Sequence, residues 1–116
     1  MRPIAANVLS TAEVRSPAGE NVGKIIDVML DTERGAVVYA VLAVGGVLGV
    51  GAKMLAIPPR SLKLNAAGGF VELAVDTETL EGAPGIDRAN PPEYAEPALR
   101  PSAPSGGSRA DLRNQR

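Results

Sequence analysis

The sequence predicts an all-β fold: a small closed or half-closed barrel of about six short strands, with one short helical turn and a C-terminal tail outside the core. Three observations carry this. Short runs rich in valine, isoleucine and leucine recur through residues 7–87, separated by clusters of Gly, Pro, Asn and Asp. One run, Val37–Val44, is apolar on both faces and reads as the central, most buried strand. Six short strands are too few for a two-sheet sandwich, whereas closing one sheet on itself removes exposed edges.

Taken in order, Val8–Arg15 is a weakly patterned first strand. Ser16-Pro17-Ala18-Gly19 follows as a turn, with proline preset at its second position and glycine closing it. In Val22–Leu30, strict alternation puts Val22, Ile26, Val28 and Leu30 on one face, with Lys24 the exception, and Ile25, Asp27 and Met29 on the other. Asp31–Gly35 is a polar turn whose glycine supplies a left-handed residue before the central strand. Lys53–Ile57 is a short strand stopped by Pro58-Pro59, and Ser61–Asn65 is another. Residues 65–69 form a hairpin turn into Phe70–Val75, where Val71, Leu73 and Val75 point inward and Glu72 outward. Asp76–Leu80 reads as one helical turn capped by Asp76 or Thr77.

The domain is expected to span 7–87. Residues 88–116 hold five prolines and no apolar periodicity, the composition of a disordered tail. From Arg100 onward the tail carries Arg100, Arg109, Arg113 and Arg116 against Asp111 alone, a solvated stretch or a weak docking arm for an anionic partner.

Composition narrows the chemistry. The 116 residues contain no cysteine and no histidine, which removes thiol chemistry, disulfides, zinc sites built on sulfur or imidazole, and a histidine general base. A net charge of −1 gives no global attraction to nucleic acid or anionic lipid. Polar residues Asn7, Ser10 and Thr11 interrupt the N-terminal apolar residues, so no export signal is read and a cytoplasmic location is expected.

The glycine-rich stretch Val44–Pro59 admits three readings. A phosphate cradle needs lysine and then a hydroxyl directly after its last glycine; here Ala52 separates Gly51 from Lys53, Met54 follows, and Pro58 ends any helix. A membrane span from Ala36 to Ala52 would sit at the lower length limit, is weakened by four glycines and lacks basic flanks. The reading that fits is a strand bent at Gly45-Gly46, an apolar tip of Val47, Leu48 and Val50 framed by Gly49 and Gly51, and a returning strand. Such a tip either folds over the barrel end or serves a partner.

Other charged groups have plain structural readings. Asp27, Asp31 and Glu33 form an acidic trio, with Asp27 expected to bond turn amides and Asp31 to cap its own turn; calcium-loop spacing is missing. Lys53, Arg60 and Lys63 cluster around the Pro58 bend as a solvated rim without interleaved aromatics. Tyr39 and Phe70, the aromatics of residues 7–87, are expected in or beside the core.

The run from Gly19 to Pro58 resembles the PRC-barrel domain, the β-barrel of the photosynthetic reaction-centre H subunit's cytoplasmic part and of the C-terminal domain of a ribosome maturation factor. The resemblance is carried by Gly19, Gly23, Asp27, Asp31, Gly35, the Val37–Val44 strand, Gly45, Gly46, Gly49, Gly51, and Pro58 before Leu62, and then by the segment Thr77–Pro84. It covers about residues 8–87. Where stand-alone members often carry an aromatic residue in the glycine tip and after the proline, this chain has Val47, Leu48 and Pro59. It also lacks the H subunit's membrane helix and the maturation factor's N-terminal domain, so neither specific function carries over whole. The resemblance implies a barrel whose named glycines, Asp27, Asp31 and Pro58 are structural, and commonly protein–protein contact without chemistry. The expected function is therefore a non-catalytic contact module that also associates with itself, without cofactor, metal or membrane span, with Val47, Leu48 and Val50 as the contact tip. The partner is unidentified and nucleic acid is not expected as one. The alternative is a ribosome- or RNA-associated accessory factor using the barrel and the basic tail.

Overall fold

In the computed structural model, which describes residues 5–45, 51–65 and 67–101, six strands form one curled sheet, a half-barrel. They are β1 (Glu13–Arg15), β2 (Asn21–Asp31), β3 (Ala36–Val44), β4 (Lys53–Ile57), β5 (Leu62–Asn65) and β6 (Phe70–Leu73). Helices α1 (Ala6–Thr11) and α2 (Thr77–Gly82) flank the sheet, and a 3₁₀ turn at Pro59–Ser61 joins β4 to β5. The strand order is β4-β3-β2-β1-β6-β5, antiparallel throughout except for the parallel β1–β6 pair. The sheet is thus the half-closed version of the expected barrel, with β4 and β5 at its edges.

The turns follow local chemistry as expected. Gly19 (φ +90°) donates its N–H to Ser16 O at 2.8 Å, Gly35 (φ +67°) to Asp31 O at 2.8 Å, and Gly69 (φ +73°) to Asn65 O at 2.8 Å. Asp76 caps α2 by accepting from Thr79 N at 2.8 Å, and these hydrogen bonds from Thr79 hold its carboxyl below the usual aspartate value. Pro58 ends β4 and accepts from Ser61 N at 2.9 Å as the 3₁₀ turn begins.

The first strand is shorter than expected. Val8–Thr11 lies in α1, and only Glu13–Arg15 joins the sheet. The segment has no alternation to hold it extended, and the Ser10 and Thr11 hydroxyls donate back to Asn7 O and Val8 O within the helical turn.

Strict alternation also fails in β2. Its register against β3 slips between Ile25 and Asp27 and again between Met29 and Leu30. Val22, Ile25 and Val28 consequently share one apolar cluster, while Ile26 and Met29 turn to the other. Gly23 lies inside β2 rather than in a turn; a Cβ there would run into the Ala43 carbonyl oxygen of β3.

Strand β3 is buried at Tyr39–Leu42, as its two apolar faces require. Ala40 and Leu42 face the inner core with Val14, Ile25, Leu55, Ile57, Val71, Leu73, Val75 and Leu80. Tyr39 and Val41 face outward, forming a second cluster with Ala56 and, around them, Ile26, Met29, Val38, Met54, Ile86 and Ala95.

Ile86 and Ala95 come from the C-terminal segment, and here the expected boundary at residue 87 moves. Residues 88–101 pack against the sheet: Leu99 is fully buried in the inner core, Ser61 Oγ donates to Leu99 O at 2.6 Å, and Tyr39 Oη donates to Pro92 O at 2.8 Å. Composition alone suggested a tail because these contacts are made by isolated apolar residues and backbone groups, with no repeating pattern. Residues 102–116, with Arg109, Asp111, Arg113 and Arg116, lie outside the described residues.

Candidate functional site

Among the described residues, three of the four large apolar side chains most exposed to solvent gather at one place. Leu30 (63% exposed) and Val37 (46%) sit opposite each other where β2 and β3 meet the Asp31–Gly35 turn, and Tyr94 (72%) stands beside them from the C-terminal segment. With Val38 they line an open groove of ≈ 560 Å³, rimmed by Asp31, Glu33, Arg34 and Glu93. Beside the groove the β2–β3 register slips, with Val38 of β3 as the extra residue between the Met29–Tyr39 and Leu30–Val37 pairs. The Asp31 carboxylate accepts from Glu33 N (3.0 Å) and Arg34 N (3.1 Å), which fixes the rim. The Glu93 carboxylate, hydrogen-bonded to the Tyr94 hydroxyl, pushes that hydroxyl's pKa up.

The tip residues Val47, Leu48 and Val50, with Gly46 and Gly49, lie outside the described residues. Their frame is in place on both sides: Gly45 (φ +75°) and Gly51 (φ +82°) adopt the left-handed conformation that glycine tolerates. The stretch after the glycines is strand β4, not the helix a phosphate cradle requires. Residues 36–44 are likewise strand, and among the described residues no helix is long and apolar enough to cross a membrane.

The acidic trio separates. Asp31 caps its turn, as expected, and Glu33 stands on the turn beside it. Asp27 does not bond turn amides: its Oδ1 accepts from the next residue, Val28, and its Oδ2 pairs with Arg88 at 3.2 Å on the C-terminal segment. Among the described residues no three carboxylates are placed to share a metal ion.

The basic trio separates too. Lys53 Nζ donates to Leu80 O (3.2 Å) and Glu81 O (2.8 Å), the end of α2, where the helix dipole favours a cation. Arg60 and Lys63 instead join Arg15 around a second cavity of ≈ 560 Å³, also lined by Ser16, Phe70 and Glu72. Arg15 lies over the Phe70 ring at 4.0 Å and pairs with Glu13 at 3.3 Å, while Lys63 stands in register with Glu72 across β5 and β6.

The Leu30–Val37–Tyr94 groove was not singled out in the sequence. Leu30 and Val37 flank a recognisable turn, so their closeness was inferable, but exposure on an apolar strand and the arrival of Tyr94 were not.

A family model for the PRC-barrel domain matches residues 3–80. No curated protein matches the chain.

Proposed function

The chain belongs to the PRC-barrel family, and on that premise we propose that it is a non-catalytic module acting by protein–protein contact, including contact between copies of itself. The observation that carries the reading is the groove, where Leu30, Val37 and Tyr94 leave apolar area in water around a rim that includes Asp31, Glu33 and Glu93. Exposed apolar area concentrated at one point is characteristic of a contact surface rather than of scattered surface residues. The Val47–Val50 tip is the second surface of the reading.

The test is the mass and binding profile of the full chain against Leu30→Asp and Leu48→Asp, by light scattering and by capture of partners from native lysate. Loss of the captured protein or of assembly with either variant, at unchanged circular dichroism, is the expected result. Unchanged capture and mass in both overturns the reading, and salt-sensitive recovery of RNA would favour a ribosome-associated role.

A further inference from the structure

Strand β4 is an edge strand, and among the described residues its outer edge is only half satisfied. Its outward carbonyls, Met54 O and Ala56 O, accept from Ile86 N (2.8 Å) and Glu96 N (3.0 Å) of the C-terminal segment. In an antiparallel ladder a residue's N–H and C=O point to the same side, so the N–H groups of Met54 and Ala56 also point to this edge. The segment cannot pair with them as a strand. Its two contact points are ten residues apart in sequence, against two in β4, and Pro84, Pro91, Pro92 and Pro97 interrupt it. It crosses the edge as a strap, held elsewhere by Tyr39 Oη on Pro92 O and by the half-exposed Arg88–Asp27 pair.

The outward residues, Met54 and Ala56, are placed symmetrically about Leu55. Two copies of β4 set antiparallel about a two-fold axis at Leu55 would pair Met54 with Ala56 of the other copy, twice. Each of the four outward groups on each β4 then gains a partner, against two groups satisfied by the strap. We propose that the outer edge of β4 is the self-association site, its occupant β4 of a second copy, and that residues 84–97 are a built-in strap that closes it in the single chain. This rests on the self-contact part of the function proposed above and gives that contact a surface and a control. Lifting the strap also uncovers Met54 and Ala56 side chains of the outer apolar cluster, which the second copy would cover in turn.

The experiment compares the full chain with two variants by sedimentation velocity and amide hydrogen exchange. Ile86→Pro removes one strap hydrogen bond while leaving a smaller apolar side chain at that point of the cover; Ile86→Pro combined with Met54→Pro also removes an outward N–H of β4, a position where an edge strand tolerates proline. Ile86→Pro is expected to dimerise roughly tenfold more tightly than the full chain, with the Met54 and Ala56 amides becoming protected as dimer forms. Adding Met54→Pro is expected to return it to monomer while circular dichroism shows a folded barrel. Dimers that persist with Met54→Pro overturn the β4 site but leave self-contact standing through another surface, with Leu48→Asp and Leu30→Asp locating it. A folded Ile86→Pro chain that stays monomeric, with unprotected Met54 and Ala56 amides, overturns the strap. If no form of the chain associates, the self-contact reading falls with it.

Discussion

The outward faces of the two halves of the sheet are built on opposite terms. On β2, β3 and β4 the outer face carries Ile26, Met29, Tyr39, Val41, Met54 and Ala56, and residues 84–97 lie across it. On β1, β6 and β5 the outer face carries Glu13, Arg15, Phe70, Glu72, Lys63 and Asn65, and an open cavity lies against it. Behind both, the inner face is the same continuous apolar core. An apolar outer face must be covered to leave water, whereas a ladder of alternating charges is satisfied in water and by its own cross-strand neighbours. The strap is therefore a consequence of which half is apolar, and it ends where it can bury one more residue, Leu99, in the common core.

The largest expected break is at the seam between the halves. Gly23 pairs with Val14 of β1 while its backbone packs on Ala43 of β3, at φ +154°. Gly23→Ala is expected to cost about 3 kcal/mol or more, read as a lowered urea midpoint, because neither the backbone angle nor the Ala43 carbonyl leaves room for a Cβ. A near-neutral result would mean that β3 can yield at Ala43 without harm.

Next comes the end of the strap. Leu99→Ala is expected to cost about 3 kcal/mol in the same assay, as for other fully buried leucines. No effect would return residues 88–101 to the status of a solvated tail.

A smaller loss, about 1 kcal/mol, is expected for Tyr39→Phe, which deletes the hydrogen bond to Pro92 O. Burial, and then the nearby Asp27 charge, raise the Tyr39 pKa above 10.0 in the folded chain. The unfolded chain therefore loses this proton first, and the tyrosine's contribution is complete below pH 10 and fades as pH rises through the folded value. Alkaline unfolding should begin at higher pH in the Phe variant than in the parent, after allowance for its lower starting stability.

The smallest effect belongs to the charged half. Glu72→Gln removes the carboxylate facing Lys63 and Arg15 but should move stability by less than about 0.5 kcal/mol, since the pair is exposed. A larger loss would show that the charged face is held as tightly as the strapped one, and the contrast between the halves would disappear.

Of the candidate site, the Asp31 cap was legible because its acceptor and donors lie within three residues. Its neighbours were not. Leu30 is left in water by the way the elements pack at the end of β2, and Tyr94 arrives from a segment whose proline content matches that of a disordered tail.

The sequence by itself determined the all-β class, six strands, the two-sided burial of β3 (though not its place, which is second from the β4 edge rather than central), the turns at Ser16–Gly19, Asp31–Gly35 and 65–69, and the Asp76 cap. Each rests on residue chemistry and hydrogen bonds acting over five residues or fewer, or on an apolar run that needs cover on both faces. Tertiary structure decided the two slips in the β2–β3 register, the helical Val8–Thr11 and the strap over β4. These depend on which backbone groups meet across long separations, such as Tyr39 with Pro92, Ser61 with Leu99 and Ala56 with Glu96. A single polar or apolar residue in an irregular segment gives no periodic signal, yet once the sheet is built its free edge and apolar outer face select the segment that satisfies them.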